Sequence, residues 1–162
     1  MKAHASLTAV IVVLVASCAS PRAPVDPSWQ KRLDPTELSA FGKSAQEQRG
    51  TSGVTGIETG VLKGNPSNAA VYSIVLHVPA NTRIEAHSHP DDRVATVLSG
   101  TWQFGYGERF DEANLKSLPP GSFYTEPPDT PHFARTTDTP VVLLITGYGP
   151  TGTRYVDESK NK

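Results

Sequence analysis

Apolar and polar positions fall into three regimes along the chain. Residues 5–16 are almost wholly apolar, with an unbroken aliphatic run at 10–15. Residues 34–48 carry helix signals. Asp34 suits an N-cap, Pro35 the first helical position, and Glu37 the carboxylate that completes a capping box. They predict a short helix to about Gln48. Leu38 and Phe41 are its only large apolar residues, so it should sit at the periphery. From Ile57 onward the period becomes two, the spacing of strands that bury one face. Strands are expected at 70–78, 83–89, 94–98, 101–106, 122–125, 132–135 and 141–148, with a last one around Arg154, Tyr155 and Val156. The punctuation between them is turn chemistry: Pro79-Ala80-Asn81, Ser99-Gly100, Pro127-Pro128-Asp129 and Gly149-Pro150. Many short strands at about ten-residue spacing predict an all-β antiparallel sandwich or barrel.

The first regime has the marks of an export signal. Lys2 precedes an apolar core too short to cross a bilayer of about 30 Å as a helix. The core ends in Val15-Ala16-Ser17-Cys18, which resembles the lipobox of bacterial lipoproteins, where the cysteine is lipidated and becomes the first mature residue. An ordinary signal peptide with small residues at its cleavage site is the alternative. Ala19, where an Asp would argue for inner-membrane retention, points to the outer membrane. The expected division is a signal peptide at 1–17, a proline-stiffened tether at 18–33, the short helix and connector at 34–56, a barrel at 57–156, and a tail at 157–162. The expected location is the cell envelope, lipid-anchored through Cys18 on the periplasmic side.

Composition narrows the function classes. A chain of 162 residues has room for one domain. A net charge of −1 without a basic run disfavours a nucleic-acid partner. The single Cys excludes an internal disulfide framework and any multi-cysteine zinc site. No Gly-x-Ser-x-Gly elbow and no glycine-rich phosphate loop is present.

Histidines carry the candidate chemistry. His87 and His89 stand two apart on a predicted strand, so both imidazoles share one face. His132 opens another short strand that can lie beside them. Neutral imidazole is a common transition-metal ligand. On spacing alone a shared metal site and ordinary buried histidines remain equally open. His77, alone in an apolar strand, reads as a core residue.

The segment from Asn81 to Thr136 resembles the cupin superfamily. Its first motif runs Gly, five residues, His-x-His, three or four residues, Glu, six residues, Gly. This chain has Asn81, His87, His89, Arg93 and Gly100 at those positions. The second motif runs Gly, five residues, Pro-x-Gly, two residues, His, three residues, Asn. Here these are Gly121, Pro127, Asp129, His132 and Thr136. The resemblance implies an antiparallel double-stranded β-helix, or cupin jelly-roll barrel. It also implies one divalent metal ion (Fe, Zn, Mn or Ni) held by His87, His89 and His132. Cupins commonly form homodimers.

Asn81 and Asp129 stand where the motifs have turn glycines, and both residue types tolerate left-handed backbone. Arg93 is a sharper departure, because it occupies the position of a Glu ligand and a guanidinium cannot donate a lone pair. Three readings of it stay open. It turns outward to Asp91 or Asp92; it grips an anionic substrate by a fork of hydrogen bonds; or the metal site is lost. Glu85, of the same strand parity as His87, and Gln103 are candidates for a fourth ligand. Trp102, Tyr106 and Tyr124 are candidates, with Arg93, for lining a small-molecule site. Three-histidine cupin sites include dioxygenases, so the resemblance implies a metal-dependent oxidoreductase acting on a small carbonyl or acid. A non-catalytic binding or sensing module at the envelope is the alternative.

Overall fold

The computed structural model describes residues 30–42 and 52–161. The signal peptide, Cys18 and most of the tether lie outside the described residues. Helix α1 (Pro35–Ala40) begins as expected. The Asp34 side chain accepts from the Thr36 and Glu37 amides, and the Glu37 side chain accepts from the Asp34 amide. It is shorter than the sequence signals suggest. Phe41 is already extended, and Gly42 follows with φ 71°, packed so closely that a Cβ there would strike the backbone of Gly60. The His77 ring bonds the Phe41 carbonyl at 2.9 Å, which ties this segment to the barrel.

Ten strands follow: β1 (Glu58–Lys63), β2 (Val71–Val78), β3 (Arg83–Ser88), β4 (Arg93–Ser99), β5 (Trp102–Tyr106), β6 (Lys116–Leu118), β7 (Phe123–Glu126), β8 (His132–Arg135), β9 (Val141–Tyr148) and β10 (Arg154–Tyr155). They form two antiparallel five-stranded sheets, ordered β1-β2-β9-β4-β7 and β10-β3-β8-β5-β6. The expected all-β double-stranded β-helix is therefore what the chain forms. Strands distant in sequence pair, as β2 with β9 and β4 with β7. The polar link after β5 contains a 3-10 turn at Glu112–Asn114 and the short strand β6.

Alternation places one side of each strand in the interior. Tyr72, Ile74, Leu76 and Val78 of β2 meet Val141, Leu143 and Ile145 of β9, with Ala95, Val97, Trp102 and Phe104 from neighbouring strands. Each fully buried aliphatic side chain contributes about 1.5–3 kcal/mol through burial. Asn81 and Asp129 take left-handed backbone, with φ 55° and 52°, as the turn positions require. Buried Thr136, where the motif has Asn, closes the first turn. Its hydroxyl accepts from the Thr82 amide at 2.9 Å and donates to the Pro79 carbonyl at 2.6 Å.

Candidate metal centre

β3 and β8 pair antiparallel with His87 opposite His132, and His89 lies just past the end of β3. All three imidazoles are buried, and one donor atom from each lies within 4.8 Å of the others. Every ring is anchored from behind. Nδ1 of His87 lies 2.7 Å from the Glu85 carbonyl, Nδ1 of His89 2.6 Å from that of Gly152, and Nδ1 of His132 3.0 Å from that of Thr130. A carbonyl oxygen can only accept, so each Nδ1 carries the proton and each Nε2 carries the lone pair. Nε2 of His89 and of His132 are fully buried and have no hydrogen-bond partner among the described residues. An unpartnered buried acceptor costs about 1–3 kcal/mol. Ligating histidines characteristically donate their other ring N–H to a carbonyl or carboxylate. The donor set and the orphaned nitrogens thus fit a divalent metal ion.

The rings are also kept neutral. Burial pushes His87 down to about 3, helped by the nearby His132. Burial pushes His89 well below the usual histidine range, with Arg93 adding to it. His132 is lowered for the same first reason, against the opposing pull of Glu126. Neutral imidazole is the ligating form.

Arg93 does not turn outward. It is 2% exposed and points into the barrel, where both its Nε and Nη2 donate to Oε2 of Glu126. Register explains the contact, because Arg93 and Glu126 are directly opposed across β4 and β7. The Nε–Nη2 fork that an anionic substrate would have used is engaged by Glu126. Burial alone would raise the Glu126 carboxyl. The Arg93 guanidinium overrides this, with help from His132 and His89, and holds it well below the usual carboxylate range. Oε2 of Glu126 also lies 3.7 Å from Nε2 of both His89 and His132. The motif spacing passed over Glu126 as one of five positions between Gly121 and Pro127. Its signal was the alternation that gives it the inward parity of Tyr124.

The other candidates divide. Glu85 lies outside the cluster, bonded to Arg83 at 2.8 Å and 3.8 Å from Lys160. The register of β3 shifts between Ile84 and His87, and that bulge breaks the parity that would have aimed Glu85 inward. Gln103 faces the far side of β5 and bonds Ser117 at 3.2 Å and Arg135 at 2.5 Å. Trp102, Tyr124 and Arg93 line the central cavity, together with Phe104, the three histidines and Glu126. Tyr106, at the end of β5, is 48% exposed and is not among the lining residues. Its hydroxyl donates to the Thr125 carbonyl at 2.6 Å. The free space at the centre of the cavity is about 20 Å³. That volume suits an ion or a water molecule.

Two further groups escaped the sequence reading, one buried and one half-buried. The Tyr72 hydroxyl donates to Oδ2 of Asp91 at 2.6 Å, immediately beside the Arg93 position. Gly147, opposite Arg93 in β9, makes room for this pair, since a Cβ there would lie 2.7 Å from the Tyr72 oxygen. The Tyr155 ring packs 5.4 Å from His87, and its hydroxyl donates to the Ser52 carbonyl.

No family model matches the chain, and no curated protein matches it in sequence. Solved structures do match in fold. One is the DMSP lyase DddQ from Ruegeria pomeroyi DSS-3, at 22% identity and TM-score 0.53, covering 78% of this chain and 60% of that one. A second is a sugar phosphate isomerase of the cupin superfamily from Silicibacter pomeroyi, at 18% identity and TM-score 0.50, covering 72% and 75%. A third is the salicylate 1,2-dioxygenase from Pseudoaminobacter salicylatoxidans, at 13% identity and TM-score 0.51, covering 63% and 30%. The chain thus spans about 60% of the length of the lyase and less than a third of the dioxygenase. A lyase, an isomerase and a dioxygenase share this architecture, so it does not by itself select a reaction. Topology and neighbours agree that this chain has the cupin double-stranded β-helix fold.

Proposed function

We propose that His87, His89 and His132 hold one divalent metal ion, and that the barrel uses it to oxidise a small organic acid or carbonyl compound with dioxygen. One observation carries the metal: three Nδ1–H groups are tied to backbone carbonyls while three Nε2 lone pairs are left to converge. Three imidazole donors leave open positions at which a substrate oxygen can bind the ion. Iron bound there would supply the redox chemistry. The chain's own residues orient the ligands, and Trp102, Phe104 and Tyr124 exclude bulk water from the cavity they line. The likeness in fold to a dioxygenase is compatible with this reaction, as the likeness to a lyase is with another.

A second reading is a non-catalytic binding module. It is favoured by the small size of the central cavity, whose 20 Å³ suits an ion or a water molecule. Metal analysis of protein purified without a histidine tag separates the outcomes. One ion per chain is expected, lowered by each of His87→Ala, His89→Ala and His132→Ala. With Fe(II), oxygen uptake is expected in the presence of a small acid or diketone, and zinc substitution should abolish it because zinc has no redox chemistry. Wild-type protein that takes up no divalent ion overturns the site. Stoichiometric iron without oxygen uptake across a broad panel favours the binding module.

The proposed location is the periplasmic side of the outer membrane, supported by Val15-Ala16-Ser17-Cys18. Lipidation there would add several acyl chains, each buried CH₂ contributing about 0.8 kcal/mol to anchoring. Cys18→Ser should end incorporation of labelled fatty acid and release the protein from membranes. Unlabelled, soluble wild-type protein overturns the anchor.

A further inference from the structure

We infer that Glu126 is a fourth protein ligand of the ion, a carboxylate supplied from β7 in place of one from position 93 of β4. The inference rests on the three-histidine metal reading and adds a residue to it. Four observations carry it. Glu126 is 4% exposed inside the barrel and lines the same cavity as the histidines. Its Oε2 is 3.7 Å from Nε2 of His89 and equally 3.7 Å from Nε2 of His132. Among the described residues, both of those nitrogens are buried and have no hydrogen-bond partner. Finally, Arg93 sits on β4 directly opposite Glu126, so the same oxygen lies within reach of the guanidinium and of both imidazoles.

Distance decides between a ligand and a bystander. Nitrogen and oxygen donors bind zinc at about 2.0–2.2 Å, which sets neighbouring donors about 3.4 Å apart in a tetrahedral site. The observed 3.7 Å closes to that value with a few tenths of an ångström of side-chain movement. An arginine facing a divalent ion with nothing between them would be repelled. A carboxylate oxygen set between guanidinium and ion removes that conflict. It lets the barrel carry an arginine at position 93 and keep a carboxylate at the centre. The cation and the anion have in effect exchanged strands.

The pair could instead be a purely structural ion pair, and the two predict different metal affinities. Glu126→Gln keeps the size and an acceptor for Arg93 but loses the charge. Because it leaves Arg93 buried without its anion, the double variant Arg93→Gln/Glu126→Gln provides a neutral, hydrogen-bonding replacement. Both are titrated with Co(II) alone and followed by its visible absorption, with thermal melting as the check on folding. A ligating Glu126 predicts at least tenfold weaker Co(II) binding and an altered spectrum in every folded variant, the double included. Wild-type affinity and spectrum in the folded double variant overturn the inference. Failure of the metal reading is distinct, since wild-type protein would then bind no Co(II) at all.

Discussion

The same strands serve two different interiors at their two ends. Toward one end of β4, β9, β3 and β8 lie Val97, Leu143, Ile84 and Ala134, packed with Phe104 of β5. Toward the other lie Arg93, Gly147, His87 and His132, with Glu126 of β7. The first end is aliphatic and aromatic. The second holds an ion pair, three neutral imidazoles and a Tyr72–Asp91 hydrogen bond. Burial is nearly equal at the two ends, so burial alone does not report what a side chain contributes. At the apolar end it is the source of stability. At the polar end each buried group needs a partner, and Nε2 of His89 and of His132 lack one among the described residues.

The comparison breaks hardest at the apolar end. Leu143→Ala removes a 1%-exposed side chain from the centre of β9. It should cost about 2–5 kcal/mol of stability, since the surrounding sheets cannot fully collapse into the space. Urea denaturation measures the loss. Leu143 also borders the cavity that holds the histidines, so Co(II) titration of the folded fraction should show a change in affinity far smaller than that of any histidine variant. A variant that melts like wild type but binds metal poorly would mean that the two ends are not separable.

What the sequence makes legible follows the same division. Period-two alternation and turn residues suffice to read the apolar end, because burying one face of each strand is a local property of the pattern. Strand order is a non-local matter; the motif resemblance implies the fold type, and the order itself is visible only in the structure. At the polar end, two-residue spacing puts His87 and His89 on one face, and the motif spacing adds His132, which β8 does bring opposite His87. Glu85 shows where parity fails: one bulge between Ile84 and His87 turns it outward, and no residue there announces the bulge. Glu126 shows the opposite case. Its inward parity was readable, but its pairing with Arg93 exists only once β7 lies beside β4. Helix α1 ends before Gln48 because the chain turns at Gly42 to pack on Gly60, and Gly42 looks in sequence like any other glycine.

Acid sharpens the comparison with a smaller effect. The His87 imidazole has its ordinary value of 6.5 in the unfolded chain and about 3 in the folded one, chiefly through burial. Between those values the unfolded state binds a proton that the folded state refuses. Stability therefore rises with pH across this window, and metal-free protein loses it as pH falls from 6.5 toward 3. Above 6.5 the group is neutral in both states and contributes no pH dependence. His87→Ala removes one such group, so metal-free variant and wild type should differ little in slope at neutral pH. At pH 5 the variant should have lost less, by about 2 kcal/mol at most. Leu143→Ala, which touches no titrating group, should shift the whole stability curve down without changing its slope against pH. Urea titrations of the three metal-free proteins at several values from pH 7 to pH 5 measure both quantities. Parallel profiles for His87→Ala and wild type would show that burial does not hold this imidazole neutral, and that the polar end of the barrel is as wet as a surface.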